Sequence, residues 1–229
     1  MRIGQFSDSF LPVVDGVGRV VLSYARTLSD MGHEVTVVSV RRGRAIHDGH
    51  AFRFSGFYGL PLPRSGSYRM GLPRLDPVHR HAMRRARLDI VHAHSPFAAG
   101  WEAARIADRL GIPLVGTFHS KFKDDFLKIT RSELVTSQVV RHVVNFYQRC
   151  DEVWAVGERT AQVLIEYGYR GDIRVMPNGA ELRAVDPASV CEASGRWGLR
   201  EDVVLLFVGQ MNFKKNIGTL LEACSILKR

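Results

Sequence analysis

Short runs of β-branched and aromatic residues alternate along this chain with segments whose apolar residues recur at helical spacing, and few folds accept that alternation. Residues 3–6, 33–40, 51–55, 89–94, 114–119, 152–156 and 173–176 read as strands. Helices are predicted from the Pro12/Gly16/Gly18 loop to near Gly32, from Asp76-Pro77 to Arg87, along Phe97, Trp101, Ala104, Ala107 and Leu110, over 132–149, over 158–167, and from Asp186-Pro187 to Trp197. Strands separated by helices cannot close hairpins, so they pair in parallel and are covered on both faces. The expected class is α/β, a Rossmann-like doubly wound parallel sheet. Residues 56–74 are rich in Gly, Pro and Arg and read as one long loop of functional character.

The end of the chain reads differently. Residues 203–209, Val-Val-Leu-Leu-Phe-Val-Gly, suggest a buried strand, and Ile217, Leu220, Leu221, Cys224 and Leu227 a following helix. One strand-helix unit cannot cover a sheet. The expectation is therefore a first domain over 1–185, then a linker and the first unit of a truncated second Rossmann-like domain over 186–229.

Charge is localised. Net charge is +9, and residues 41–87 hold eleven arginines, no lysine and only Asp48 and Asp76, so the rest of the chain balances. His47, His50, His79, His81, Phe52, Phe54, Phe57, Tyr58 and Tyr68 share that segment. Such a patch suits an anionic lipid surface, nucleic acid or an acidic substrate, or is simply a solvated face. No nucleic-acid recognition motif accompanies it, and none is expected as a partner. No apolar run reaches the ~20 residues of a membrane span, and the N-terminus lacks the regions of a signal peptide. Cys150, Cys191 and Cys224 are widely spaced and read as buried thiols of a reducing, cytoplasmic compartment.

In a doubly wound sheet, ligands bind beyond the carboxyl ends of the strands. Four segments lie there. Asp15-Gly16-Val17-Gly18-Arg19 follows the first strand, with glycines that admit close backbone approach and a helix start that favours an anion. His92 and His94 share one strand face, with no further ligand nearby to complete a zinc site. His119 ends the next predicted strand, where it can bond a hydroxyl or carry a proton. Lys214 and Lys215 precede the last helix, within reach of a phosphate. A Walker-type loop is absent, and so is an Asp-x-Asp metal pair.

Together these segments resemble the retaining glycosyltransferases of family 4, of GT-B architecture. The carriers are Ile3-Gly4-Gln5-Phe6-Ser7-Asp8 with Asp15-Gly16-Val17-Gly18-Arg19, then Asp89-Ile90-Val91-His92-Ala93-His94-Ser95-Pro96-Phe97, Gly116-Thr117-Phe118-His119, Val175-Met176-Pro177-Asn178-Gly179, and Phe207-Val208-Gly209 through Lys215-Asn216. The resemblance implies a catalytic role for His119 near the reacting sugar. It implies donor-diphosphate contacts from Gly16, Lys215 and Gln210, and an acceptor side lined by Arg19 and His94. Gln210 stands where the family usually has a basic residue, and the family's Glu-x7-Glu donor element has no counterpart before Arg229.

The implied reaction transfers a hexose from a nucleotide-sugar to an acceptor hydroxyl with retention, without metal or other cofactor. The opening is similar to enzymes that act on diacylglycerol-type lipids or glycans. Arg80, Arg84, Arg85, Lys121 and Lys123 are then candidates for contact with an anionic membrane, placing the protein peripherally on its inner face. Two other readings stand beside this one: a non-catalytic acceptor- or lipid-binding module that self-associates or needs a donor-domain partner, and a nucleotide-sugar epimerase of GT-B fold.

Overall fold

A computed structural model describes residues 1–13, 15–42, 50–61, 69–180, 184–199, 203–209, 211 and 215–227. Two compact units divide it, Met1–Gly179 and Ala180–Arg229.

The first unit carries a seven-stranded sheet. Its strands are β1 (Arg2–Phe6), β2 (Glu34–Val40), β3 (Arg53–Phe57), β6 (Ile90–Ala93), β7 (Leu114–Phe118), β8 (Glu152–Ala155) and β9 (Arg174–Val175), in the order β3-β2-β1-β6-β7-β8-β9. Every neighbouring pair is parallel. The order reverses between β1 and β6, so the crevice of the fold opens beyond the carboxyl ends of those two strands.

The helices start and stop where the chain supplies caps. In α1 (Gly16–Asp30), the Asp15 carboxylate accepts the Gly18 N–H at 2.7 Å. In α2 (Pro77–Arg85), buried Asp76 accepts the His79 N–H at 3.0 Å and Pro77 opens the first turn. α3 (Ala98–Leu110) ends on Gly111 at φ +63°, a left-handed conformation that glycine adopts without strain. Ser132 caps α5 (Glu133–Tyr147), and α6 is Glu158–Glu166.

Each strand of the sheet sends alternate residues to opposite faces. Phe6, Val91, Ala93 and Phe118 join the larger core with Ala99, Ala103, Ile106, Val143, Phe146 and Tyr147. Phe10, Val21, Ala25, Val35, Val37 and Phe52 form a smaller core with α1. The α3 face differs from expectation. Its buried residues are Ala99, Gly100, Glu102, Ala103, Ala104, Ile106 and Ala107, while Leu110 is exposed. Small residues let this helix approach closely: a Cβ on Gly100 would stand 2.0 Å from the Ser95 carbonyl oxygen.

Several expectations are corrected. The predicted 56–74 loop contains an antiparallel ribbon of β4 (Gly59–Pro61) and β5 (Arg69–Gly71), and a 3-10 turn over Pro73–Leu75. An additional helix, α4 (Lys123–Thr130), fills the interval after β7. In the second unit, α7 (Pro187–Trp197) and α8 (Ile217–Leu227) form, but residues 203–209 are neither a strand nor buried, with Val203 91% and Leu206 82% exposed. A strand exists through hydrogen bonds to a neighbour, and among the described residues this segment has none. Of the cysteines, Cys191 is exposed, while Cys150 is half-buried and burial raises its thiol to about 12.

The closeness of α3 to the loop after β6 generates a first prediction. Gly100→Ala forces backbone displacement and costs about 3 kcal/mol or more by overpacking, read as a lower midpoint in urea denaturation; an unchanged midpoint contradicts the packing described.

Candidate active site

The residues beyond β1, β6 and β7 converge at the switch point. The β1–β6 register pairs Gln5 with His92 and Phe6 with Ala93, and β6–β7 pairs Ala93 with Gly116. Gln5, His92, His94 and Thr117 therefore stand side by side on the face opposite Phe6 and Ala93. All four are at least nine-tenths buried. Tyr24 of α1 covers them, its ring centroid 5.4 Å from that of His92 and 5.6 Å from that of His94. Trp154 of β8 meets His92 edge-on at 5.0 Å.

Buried polar groups must be partnered, and these are. His92 Nε2 lies 2.7 Å from Thr117 Oγ1. His94 Nε2 donates to Gln5 Oε1 at 2.6 Å, and His94 Nδ1 lies 3.1 Å from His119 Nε2. Burial disfavours the imidazolium form throughout. It lowers His92 to about 3, helped by the nearby His119, and His119 to about 4 against a small opposing pull from Asp15. His94 falls well below the ordinary histidine value for the same reason, with His92 and His119 adding to it. The three rings are neutral at pH 7.

Two carboxylates shape the entrance. Asp8, just past β1, accepts from the Ala99 N–H of the first turn of α3 at 3.0 Å and from Ser95 Oγ at 2.6 Å. Burial raises its pKa, opposed by those two hydrogen bonds. Asp15 accepts from the Ser9 hydroxyl as well as from Gly18. The Asp15 cap satisfies Gly18, leaving the Gly16 and Val17 N–H groups as the other donors of the first turn.

The two glycines of this turn differ. A Cβ on Gly18 would stand 3.2 Å from Asp15 Oδ1 and 3.4 Å from the Phe10 backbone, a tight fit. Among the described residues a Cβ on Gly16 meets nothing within 4 Å, and its φ is not left-handed. Neither packing nor backbone conformation explains Gly16, which leaves room for close approach by a ligand.

His119, His94 and the Gly16 turn thus lie around one crevice, with Arg19 exposed on the first turns of α1. His94 differs from a ligand-lining residue. It is 2% exposed and both ring nitrogens are engaged within the protein, so it reaches a ligand only through His119. Lys215 belongs to the second unit, two residues before α8, and is exposed; Gln210 lies outside the described residues. Sequence reasoning missed Gln5, Asp8, Ser95 and Thr117 as individual site residues. A carboxamide inside a buried strand and an acid just past its end were the available signals.

The basic segment sorts into two populations. Arg80, Arg84 and Arg85 of α2 are exposed, as are Lys121 and Lys123, although Lys121 pairs with Asp124 at 2.8 Å. Phe52, Phe57 and His79 instead belong to the interior, with His79 Nδ1 3.2 Å from Ser55 Oγ; His47 and Tyr68 lie outside the described residues. A pocket of about 490 Å3 between β3 and α2 is lined by Arg41, Arg53 and Arg85 among others. Arg41 pairs with buried Asp76 at 3.0 Å, whereas Arg53 and Arg85 make no ion pair among the described residues.

The family description "Glycosyltransferase Family 4" matches residues 14–184. This chain belongs to that family. It is 25% identical to the alpha-monoglucosyldiacylglycerol synthase of Streptococcus pneumoniae and 26% identical to that of Acholeplasma laidlawii, in each case over 97% of the chain. It spans 52% and 59% of those two proteins, little more than half their length. Sucrose-phosphate synthase of Thermosynechococcus elongatus shares the fold, with a TM-score of 0.70 at 17% identity over 97% of this chain and 59% of that one. The α/β, Rossmann-like class read from the alternating strands and helices is thereby met.

The buried histidines make stability depend on pH. Unfolded histidine takes up its proton near pH 6.5, but folded His119 does so only near 4 and His92 near 3. Between those values the unfolded state binds more protons, so stability falls as pH drops from about 6.5 towards 4. His119→Gln removes up to one proton from that dependence, seen as a shallower fall of the urea midpoint across this window; an unaltered pH profile contradicts a buried neutral His119.

Proposed function

We propose that this chain forms the acceptor-side half of a retaining hexosyltransferase that moves a hexose from a nucleotide-sugar to the hydroxyl of a diacylglycerol-type lipid or glycan. The observation that carries the reading is neutral His119 at the end of β7, within electrostatic reach of Asp15, the residue that caps the Gly16 turn. Gly16 offers its backbone N–H to the donor diphosphate, and His119 stands at the reacting sugar and acceptor. Arg19 lines the acceptor side. Lys215 and Gln210, in the second unit, are the residues proposed for further diphosphate contacts. Leaving-group charge is stabilised by these cations and dipoles rather than by a metal.

The lipid acceptor rests on the likeness to two alpha-monoglucosyldiacylglycerol synthases and on the exposed arginines of α2. No helix among the described residues is long and apolar enough to cross a membrane. Attachment is then peripheral, at the cytoplasmic face, through Arg80, Arg84, Arg85, Lys121 and Lys123, with electrostatic attraction of about 1 kcal/mol for each cation near an anionic surface. The unpaired Arg53 and Arg85 beside the β3–α2 pocket favour the same anionic partner.

Transfer of labelled hexose from UDP- or GDP-sugars into diacylglycerol vesicles tests the reaction. His119→Ala is expected to lower kcat/KM on the order of 100-fold. Gly16→Ala keeps stability within about 0.5 kcal/mol, as for a substitution that touches nothing, while transfer falls. Release of free nucleoside diphosphate without a glycolipid product points to the epimerase class instead. Vesicle flotation tests the surface: binding requires anionic lipid, weakens with salt, and drops on the order of 100-fold in the triple variant Arg80→Glu/Arg84→Glu/Arg85→Glu. Equal binding to neutral vesicles overturns the electrostatic attachment.

A further inference from the structure

The hydrogen bonds beneath His119 form a directed chain, and its direction decides which nitrogen His119 shows to the outside. Gln5 and His94 are 1% and 2% exposed, on neighbouring strands and 89 residues apart in sequence. The Gln5 side-chain oxygen can only accept, so the nitrogen 2.6 Å from it, His94 Nε2, carries the proton. No carboxylate bonds the His94 ring, and an imidazolium at 2% exposure without one is costly. His94 is therefore neutral, and a neutral imidazole protonated at Nε2 has a bare lone pair at Nδ1. That lone pair faces His119 Nε2 at 3.1 Å, which must then donate. His119 in turn keeps its lone pair at Nδ1, an atom with no hydrogen-bond partner among the described residues.

We infer that Gln5 and His94 are positioning residues that hold His119 in its Nε2–H form, so that Nδ1 meets the ligand as a hydrogen-bond acceptor for a hydroxyl. The alternative direction, with the Gln5 amide turned over, would reverse every link and leave His119 with an N–H facing outward, suited to a carbonyl or phosphate oxygen instead. The two directions thus select different ligand chemistry at the same position. The first is the one in which the Gln5 oxygen faces His94 Nε2. His92 is engaged with Thr117 at 2.7 Å and does not compete for the His94 ring nitrogens. The charge of Asp15 pulls against the lowering of the His119 pKa without reversing it. That a sugar or lipid hydroxyl is the group received rests on the function proposed above; the tautomer itself does not.

Histidine-labelled 15N NMR of the full chain at pH 7 reads the tautomer directly, with the His119 signal assigned by its loss in His119→Gln. The expected spectrum shows His119 and His94 both protonated at Nε2 and bare at Nδ1. Gln5→Met removes the acceptor at similar size and is expected to shift His119 towards a mixture of both tautomers. A wild-type His119 protonated at Nδ1, or a folded Gln5→Met whose His119 is unchanged, overturns the inference. The wild-type spectrum decides even if Gln5→Met fails to fold. In hexose transfer, Gln5→Met is expected to lower kcat about tenfold with little change in donor KM. The expected spectrum without any transfer activity would count against the proposed reaction and leave the tautomer chain standing.

Discussion

The parallel seam between β1 and β6 is the constraint on which the rest of the first unit depends. It joins segments nearly ninety residues apart and is fastened at both ends. At its start, Arg2 pairs with Asp89 through backbone and side chain, which lowers the Asp89 carboxyl to about 2. Along its length, His94 N–H donates to the Phe6 carbonyl at 2.8 Å. At its carboxyl end, Asp8 bonds Ser95 and the first turn of α3, and Gln5 bonds His94. The same contacts that close the sheet therefore aim the side chains of the crevice. A change that shifts this seam by one residue would turn Gln5, His92 and His94 to the opposite face.

The two faces of the sheet divide the labour. One buries Phe6, Val91, Ala93 and Phe118 against helices and supplies most of the apolar burial. The other, at its carboxyl end, buries an amide, two imidazoles and a hydroxyl, which contribute little net stability but a defined geometry. An apolar row at these positions would fold at least as readily. Polar groups here, each satisfied by another, mark a surface organised to present one atom, the outward nitrogen of His119. The exposed arginines of α2 lie on a separate part of the unit and suit an extended anionic surface rather than a single small ligand.

Much of this was legible in the sequence. Valine-rich runs between helical periods announced the parallel sheet, and Asp76-Pro77 and Gly111 marked helix ends where the structure has them. Strand-end positions singled out Gly16, His94 and His119. What was not legible depended on tertiary contacts. α4 has no buried residue and thus no apolar stripe to read. The β4–β5 ribbon is held by pairing rather than by pattern, and the apolar run 203–209 reads as a strand although no neighbour pairs with it among the described residues. Phe52 and Phe57 sit among arginines in the sequence yet inside the core in space. The Gln5–His94 bond spans 89 residues, so no local pattern announces it. Nor could the role of His94 be told from its place at a strand end, because that role follows from which partners hold its two nitrogens.

The most direct test of the central claim is where an acceptor binds. A short-chain diacylglycerol titrated into the 15N-labelled chain reads this residue by residue, without requiring turnover. The account predicts saturable shifts centred on Arg19 and His119, at the start of α1 and the carboxyl end of β7. Saturable shifts confined to other parts of the unit, or none at concentrations that saturate a related diacylglycerol glycosyltransferase, would contradict the assignment of this crevice as the acceptor site.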